Sequence, residues 1–167
     1  MKRFAVGLVC LLVPAVLLTG LVEGGDKKKA KKVKNDICAA GTSSNVCADR
    51  RCGSESAACE VDITRIADDS ASAKPGIPNA KDNEPFCVKV GTTITFKSKS
   101  KNTGFVLDFG NSSPFDSGSV IMGGADRPIS VVAKKPGCYT YTVGACTAGT
   151  IYGMCGEEAA QLVVSAN

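Results

Sequence analysis
Histidine is missing from this 167-residue chain, and so is tryptophan. Without imidazole there is no Ser-His-Asp or Cys-His machinery. There is also no His-ligated zinc, haem or mononuclear blue copper. A non-enzymatic role is therefore the expectation. Aromatic residues are few, six Phe and three Tyr, so a core must rest on Val, Ile, Phe and Tyr. No cysteine pair has the C-x-x-C spacing of a zinc ribbon or of a redox dithiol with a lowered thiol pKa. No internal repeat is visible, and neither is an amphipathic helix of useful length.

What is present begins with an apolar run. Lys2 and Arg3 precede Phe4 to Leu18, and small residues follow at Gly20, Gly24 and Gly25. This is the pattern of a secretory signal peptide over residues 1–24. The competing reading is an N-terminal membrane anchor, for which the run is near the lower length limit. Cys10 sits inside the run rather than after the small residues, which closes the lipoprotein route. Export to a secreted, periplasmic or cell-envelope location is expected, with no transmembrane segment after cleavage.

Export changes how the cysteines read. Leaving out Cys10, eight remain: Cys38, Cys47, Cys52, Cys59, Cys87, Cys138, Cys146 and Cys155. An even number in an exported chain points to a disulfide framework. Cys52 with Cys59, and Cys38 with Cys47, are each close enough to close a small local loop. Alternatively, the four N-terminal cysteines bridge outward to Cys87 and Cys138, so that the extension lies on the folded body as a strap.

Charge is unevenly placed. Residues 26–34 carry six lysines (Lys27, Lys28, Lys29, Lys31, Lys32 and Lys34) against Asp26, a local charge of +5. Residues 35–167 carry 12 basic and 14 acidic side chains, a charge of −2. The arm reads either as a solvated leader or as a contact for a protein or an anionic envelope component. Export argues against nucleic acid as a partner.

Three segments follow: the signal, a basic and Cys-rich extension over 25–59 that is largely irregular, and a β-rich body over 60–167. The body shows roughly seven short apolar runs, at 60–66, 86–90, 92–96, 104–109, 128–133, 138–143 and 160–165, with turn signals between them. The pattern predicts an all-β, Greek-key sandwich. Residues 67–84 are expected to form a long loop, Met122-Gly123-Gly124 a flexible loop, and 144–159 another long loop. Alternation places Tyr139, Tyr141 and Val143 on one face. It places Phe86, Val88 and Val90 together as well, leaving Cys87 outside. Asp68-Asp69 and Glu157-Glu158 read as solvated surface. Asn111-Ser112-Ser113 fits the N-glycosylation acceptor but is followed by Pro114.

The stretch FCVKVGTTITFKSKSKNTGFVLDF (86–109), then KPGCYTYTV (135–143), GMCG (153–156) and QLVVS (161–165), resembles the cupredoxins of plastocyanin and azurin type. The resemblance covers residues 60–167 and implies a cupredoxin-like sandwich. It also implies where copper ligands would stand. The first His position falls at Thr103, Gly104 or Phe105. The Cys position falls at Val143 and the second His position at Cys146, while the Met position is matched by Met154. The blue-copper set is thus absent. Two readings stay open. Cys146, Met154 and Cys155 form a sulfur-only copper site, since thiolate and thioether suit Cu(I). Otherwise Cys146 and Cys155 are bridged and the fold is metal-free, binding or structural in role. A thiol-redox role for Cys146 and Cys155 is a weaker third.

Overall fold
The computed structural model describes residues 36–41, 43–147 and 156–166. The expected signal peptide, the lysine arm, Cys10, Met154 and Cys155 lie outside the described residues.

The described chain runs α1 (Ile37–Ala40), α2 (Ser43–Asp49), β1 (Cys59–Ala67), β2 (Ser70–Pro75), β3 (Phe86–Lys89), β4 (Thr93–Ser98), β5 (Thr103–Asp108), β6 (Val120–Gly124), β7 (Ile129–Val132), β8 (Gly137–Thr147) and β9 (Gly156–Ser165). The strands form two sheets, ordered β2-β1-β4-β7 and β3-β9-β8-β5-β6. Each is mixed: β1 runs parallel to β4, β3 runs parallel to β9, and the remaining pairs are antiparallel. The all-β Greek-key sandwich expected from the alternating runs is what forms.

The core lies between the sheets and follows from alternation. Val61, Ile63, Val88, Ile94, Phe96, Leu107, Val143 and Leu162 are fully buried. Each such side chain contributes roughly 1.5–3 kcal/mol by leaving water. The few aromatics are concentrated here. Phe96 and Phe109 both meet Phe115 edge-on, and Phe109 stacks on Tyr141 with ring centroids 4.6 Å apart.

Two strands were not legible as strands. β2 lies in the expected 67–84 loop and reads SASAKP, and β6 contains the expected Met122-Gly123-Gly124 loop. Both are edge strands, each with one neighbouring strand in its sheet. An edge strand needs no run of branched apolar residues when one neighbour and one covered face suffice. The loop expected over 144–159 also shrinks at both ends. β8 continues to Thr147, and β9 already begins at Gly156.

The extension holds two short helices rather than an irregular coil. Asp36 caps α1 by accepting from the Ala39 N–H at 3.0 Å, and Gly41 ends it with φ 67°. The local Cys38–Cys47 closure does not form. Cys38 is joined to Cys138 on β8, Cys47 to Cys87 on β3, and Cys52 to Cys59. Residues 36–52 therefore lie as a strap across the outer face of β3, β9 and β8. The outward placement expected for Cys87 holds. The residue does face away from the main core, but it is fully buried there with Val46 and Val163 in a second small cluster.

One buried polar side chain fixes the strap. Gln161 on β9 has no exposed surface. Its Oε1 accepts from the Ile37 N–H at 3.0 Å, and its Nε2 donates to Asp36 Oδ1 at 2.6 Å and Thr140 Oγ1 at 3.0 Å. Alternation turns Gln161 and Val163 to the outer face, so an apolar residue there already calls for cover.

Candidate functional site
One pole of the sandwich gathers the β1–β2 turn, the β4–β5 loop, the β6–β7 turn and the ends of β8 and β9. Of the positions that the sequence resemblance matched to copper ligands, Thr103, Gly104, Phe105 and Cys146 lie at this pole, Val143 lies further along β8, and Met154 is outside the described residues. In the β5–β8 ladder Thr103 pairs with Thr147, Gly104 with Cys146, Phe105 with Ala145 and Leu107 with Val143.

Strand parity then separates these side chains. β8 stays regular through Thr147, and side chains alternate between faces along it. Val143 is fully buried in the core. Cys146, three residues on, takes the opposite face. On β5 Thr103 and Phe105 turn inward at 4% exposure each, whereas Gly104 lies on the outer face with Cys146. The matched positions are thus neighbours along two paired strands, yet they do not converge on one point. Cys146 is also disulfide-bonded, so its sulfur is not a thiolate.

Two shallow grooves flank Thr103. One, of about 400 Å³, is lined by Lys101, Thr103, Met122, Gly124, Asp126 and Arg127. The other, of about 270 Å³, is lined by Arg65, Ile66, Asp68, Ser100, Thr103 and Thr147. Charges of both signs border them. Arg65 Nη2 meets Asp68 Oδ1 at 2.7 Å across the β1–β2 turn. Asp68 and Asp69 are exposed, as expected of solvated surface, and the Asp69 carbonyl accepts from the Glu157 N–H at 3.4 Å. Asn111 is exposed in the turn after β5.

Two tyrosines in β8 differ sharply. Tyr139 is half-buried, and its hydroxyl donates to the Lys135 carbonyl at 3.0 Å. Tyr141 is 2% exposed, and its hydroxyl has no hydrogen-bond partner among the described residues. Burial pushes both phenols above their ordinary range, that of Tyr141 much further. What sequence reasoning missed here are Gln161 and the Tyr141 hydroxyl, which lacks a partner among the described residues. Only the alternation of AQLVVS carried a signal, for Gln161.

No protein-family profile matches the chain, and no curated protein matches it in sequence. Several solved structures are similar to it. A reduced Cu(I) form of an amicyanin mutant at pH 4 is 19% identical over 65% of this chain and 82% of that one, with a TM-score of 0.37. A second amicyanin mutant with Cu(I) gives 19% identity, the same coverage and a TM-score of 0.36. The copper-containing nitrite reductase of Thermus scotoductus SA-01 is 16% identical, with a TM-score of 0.31. That match covers 71% of this chain and 28% of the enzyme.

Proposed function
We propose that this chain is an exported, non-enzymatic binding or structural protein on a cupredoxin-like sandwich, in which a disulfide takes the place of a metal. The observation that carries the reading is Cys146. It stands at the position matched to a metal ligand, and its sulfur is engaged in a disulfide. Oxidised sulfur is a poor ligand where the thiolate is the metal-binding form. The missing histidines leave no imidazole to replace it. The opposite faces of Val143 and Cys146 favour the same conclusion. Cys155 is the proposed partner of Cys146, so that the bridge closes the loop between β8 and β9.

Three further bridges support an oxidising location, secreted or at the cell envelope. Among the described residues no helix is long and apolar enough to cross a membrane. The lysine arm at 27–34 would then bring the folded part to a protein or an anionic envelope component.

The test is a Cu(I) titration of the mature, oxidised protein against a competing chromogenic chelator. The expected result is that the chelator keeps all the copper. Stoichiometric withdrawal of copper by the oxidised protein would overturn the reading in favour of a sulfur site built on Cys146, Met154 and Cys155.

A further inference from the structure
One cation at the pole that holds Cys146 sits where a solvated side chain would not. Arg65 keeps the inward parity of Val61 and Ile63 on β1. Its side chain is only 16% exposed, and it lines the groove of about 270 Å³ beside Thr103. The β1–β2 ladder slips between Arg65 and Ala67. Such bulges re-aim side chains at the rim of a sheet. An arginine buried this far is expected to be fully paired.

The pairing is incomplete. A guanidinium presents Nε and Nη2 as a fork that matches the two oxygens of a carboxylate. Asp68 Oδ1 takes Nη2 at 2.7 Å, while Nε is buried without a hydrogen-bond partner among the described residues. A buried donor left unmade is costly. Asp68 is a poor occupant of the fork. Its side chain is 84% exposed, and exposed ion pairs contribute little. Lys97 and Lys99 on the neighbouring strand and loop are engaged elsewhere, by Glu60 and Asp62.

The rest of the groove suits a small hydroxylated molecule. Ser100, Thr103 and Thr147 bring hydroxyls to it, and Ile66 brings an apolar side chain that is 55% exposed. The volume is below the roughly 300–1,000 Å³ of pockets for drug-sized ligands, which limits the occupant to a single small ring.

We infer that this groove binds a small sugar acid, whose carboxylate displaces Asp68 and closes on both Nε and Nη2 of Arg65. The hydroxylated ring then lies among Ser100, Thr103 and Thr147, against Ile66. Asp68 is a built-in competitor that keeps the dissociation constant on the order of 1 mM. The inference gives a ligand class to the binding role proposed above and rests on that role. It does not depend on the state of Cys146, because none of the described residues lining the groove is a cysteine.

The test is an NMR titration of the mature, oxidised protein with sodium glucuronate at constant ionic strength. It is read at the Arg65 Nε–H and at the amides of Arg65, Ser100 and Thr103. Saturable shifts are expected at all of them, with glucose giving none at the Nε–H. Asp68→Asn removes the competitor from an exposed turn and should tighten glucuronate binding about two- to fivefold, the worth of an exposed ion pair. Arg65→Lys keeps the charge but loses the fork, and should weaken binding about tenfold with the sandwich amides unshifted. Three results would overturn the inference. Glucuronate gives no saturable shift at the Arg65 Nε–H. Alternatively, glucose or acetate binds as tightly, which would leave the acid or the ring without a role. Or Asp68→Asn binds glucuronate no more tightly than the parent, which would make Asp68 a structural partner of Arg65. None of these results alters the outcome of the copper titration, so the two readings fail separately.

Discussion

Gly104 stands directly across from Cys146 in the β5–β8 ladder, on the outer face of the sheet. Gly104 is one of the three positions, with Thr103 and Phe105, that the sequence resemblance matched to a first His ligand, and Cys146 is the position matched to the second. Here neither supplies one: glycine has no side chain, and the cysteine is oxidised. β8 stays regular through Thr147, and Val143 is a core residue.

The strap bridges should carry unequal weight. Cys38–Cys138 spans a sequence separation of 100, against 7 for Cys52–Cys59. Loop-closure entropy then gives about 4.7 kcal/mol for the long bridge and about 2.4 kcal/mol for the short one. Replacing Cys38 and Cys138 together by Ser should lower unfolding free energy in denaturant roughly twice as much as replacing Cys52 and Cys59. Equal losses would mean that the strap is held mainly by its non-covalent contacts.

Gln161→Leu keeps the volume of the side chain and removes every bond it makes to the strap. The half-buried Ile37 N–H loses its acceptor, whereas Thr140 is exposed and turns to water, so a cost of about 1 kcal/mol is expected. Hydrogen exchange should accelerate first at Ile37, with the sandwich amides slow. A Gln161→Leu protein as stable as the parent would show that the two bridges and the apolar packing of Val46 and Val163 seat the strap without it.

The two tyrosines predict opposite responses to loss of a hydroxyl. Tyr141→Phe removes a buried group without a partner and should stabilise the fold by about 1 kcal/mol. Tyr139→Phe removes the bond to the Lys135 carbonyl and should destabilise it by about 1 kcal/mol. The raised phenol also fixes a sign. Tyr141 keeps its proton in the folded state at a pH where the unfolded chain has lost it. Its contribution is therefore fully present below about pH 10 and is lost progressively above that. Denaturant midpoints measured from pH 8 to pH 11 should fall more steeply for the parent than for Tyr141→Phe.

Gly123→Ala probes the side where β6 turns toward β7. A Cβ there would come within 2.5 Å of Phe105 Cζ and 2.7 Å of the Arg127 carbonyl oxygen. The second of these is backbone and cannot simply rotate away, so a cost of about 1–3 kcal/mol is expected. Chemical denaturation reads it directly. A neutral result would mean that the β6–β7 turn moves freely.

The sandwich was legible because its central strands alternate: EVDITRI, TTITF and CYTYTV each declare an inward face. The edge strands were not. SASAKP has no branched apolar residue and VIMGG breaks off into two glycines, and they become strands because β1 and β5 offer a ladder. The strap was half legible. Even cysteine numbers and the outward parity of Cys87 and Cys138 suggested it, but the order of pairing rests on three-dimensional proximity. The separation of Val143 and Cys146 onto opposite faces was not legible. It depends on where β8 stops, and the glycines and threonines of 144–150 gave no sign that pairing continues to Thr147.

The central claim is that a disulfide occupies the place of a metal. Alkylation of the mature, undenatured and then denatured protein, followed by intact mass with and without reductant, counts free thiols, and elemental analysis of the same sample counts copper. The account predicts no alkylated cysteine before reduction, eight after it, and no stoichiometric copper. Alkylation at Cys146 and Cys155 without reductant, together with one copper per chain, would contradict it.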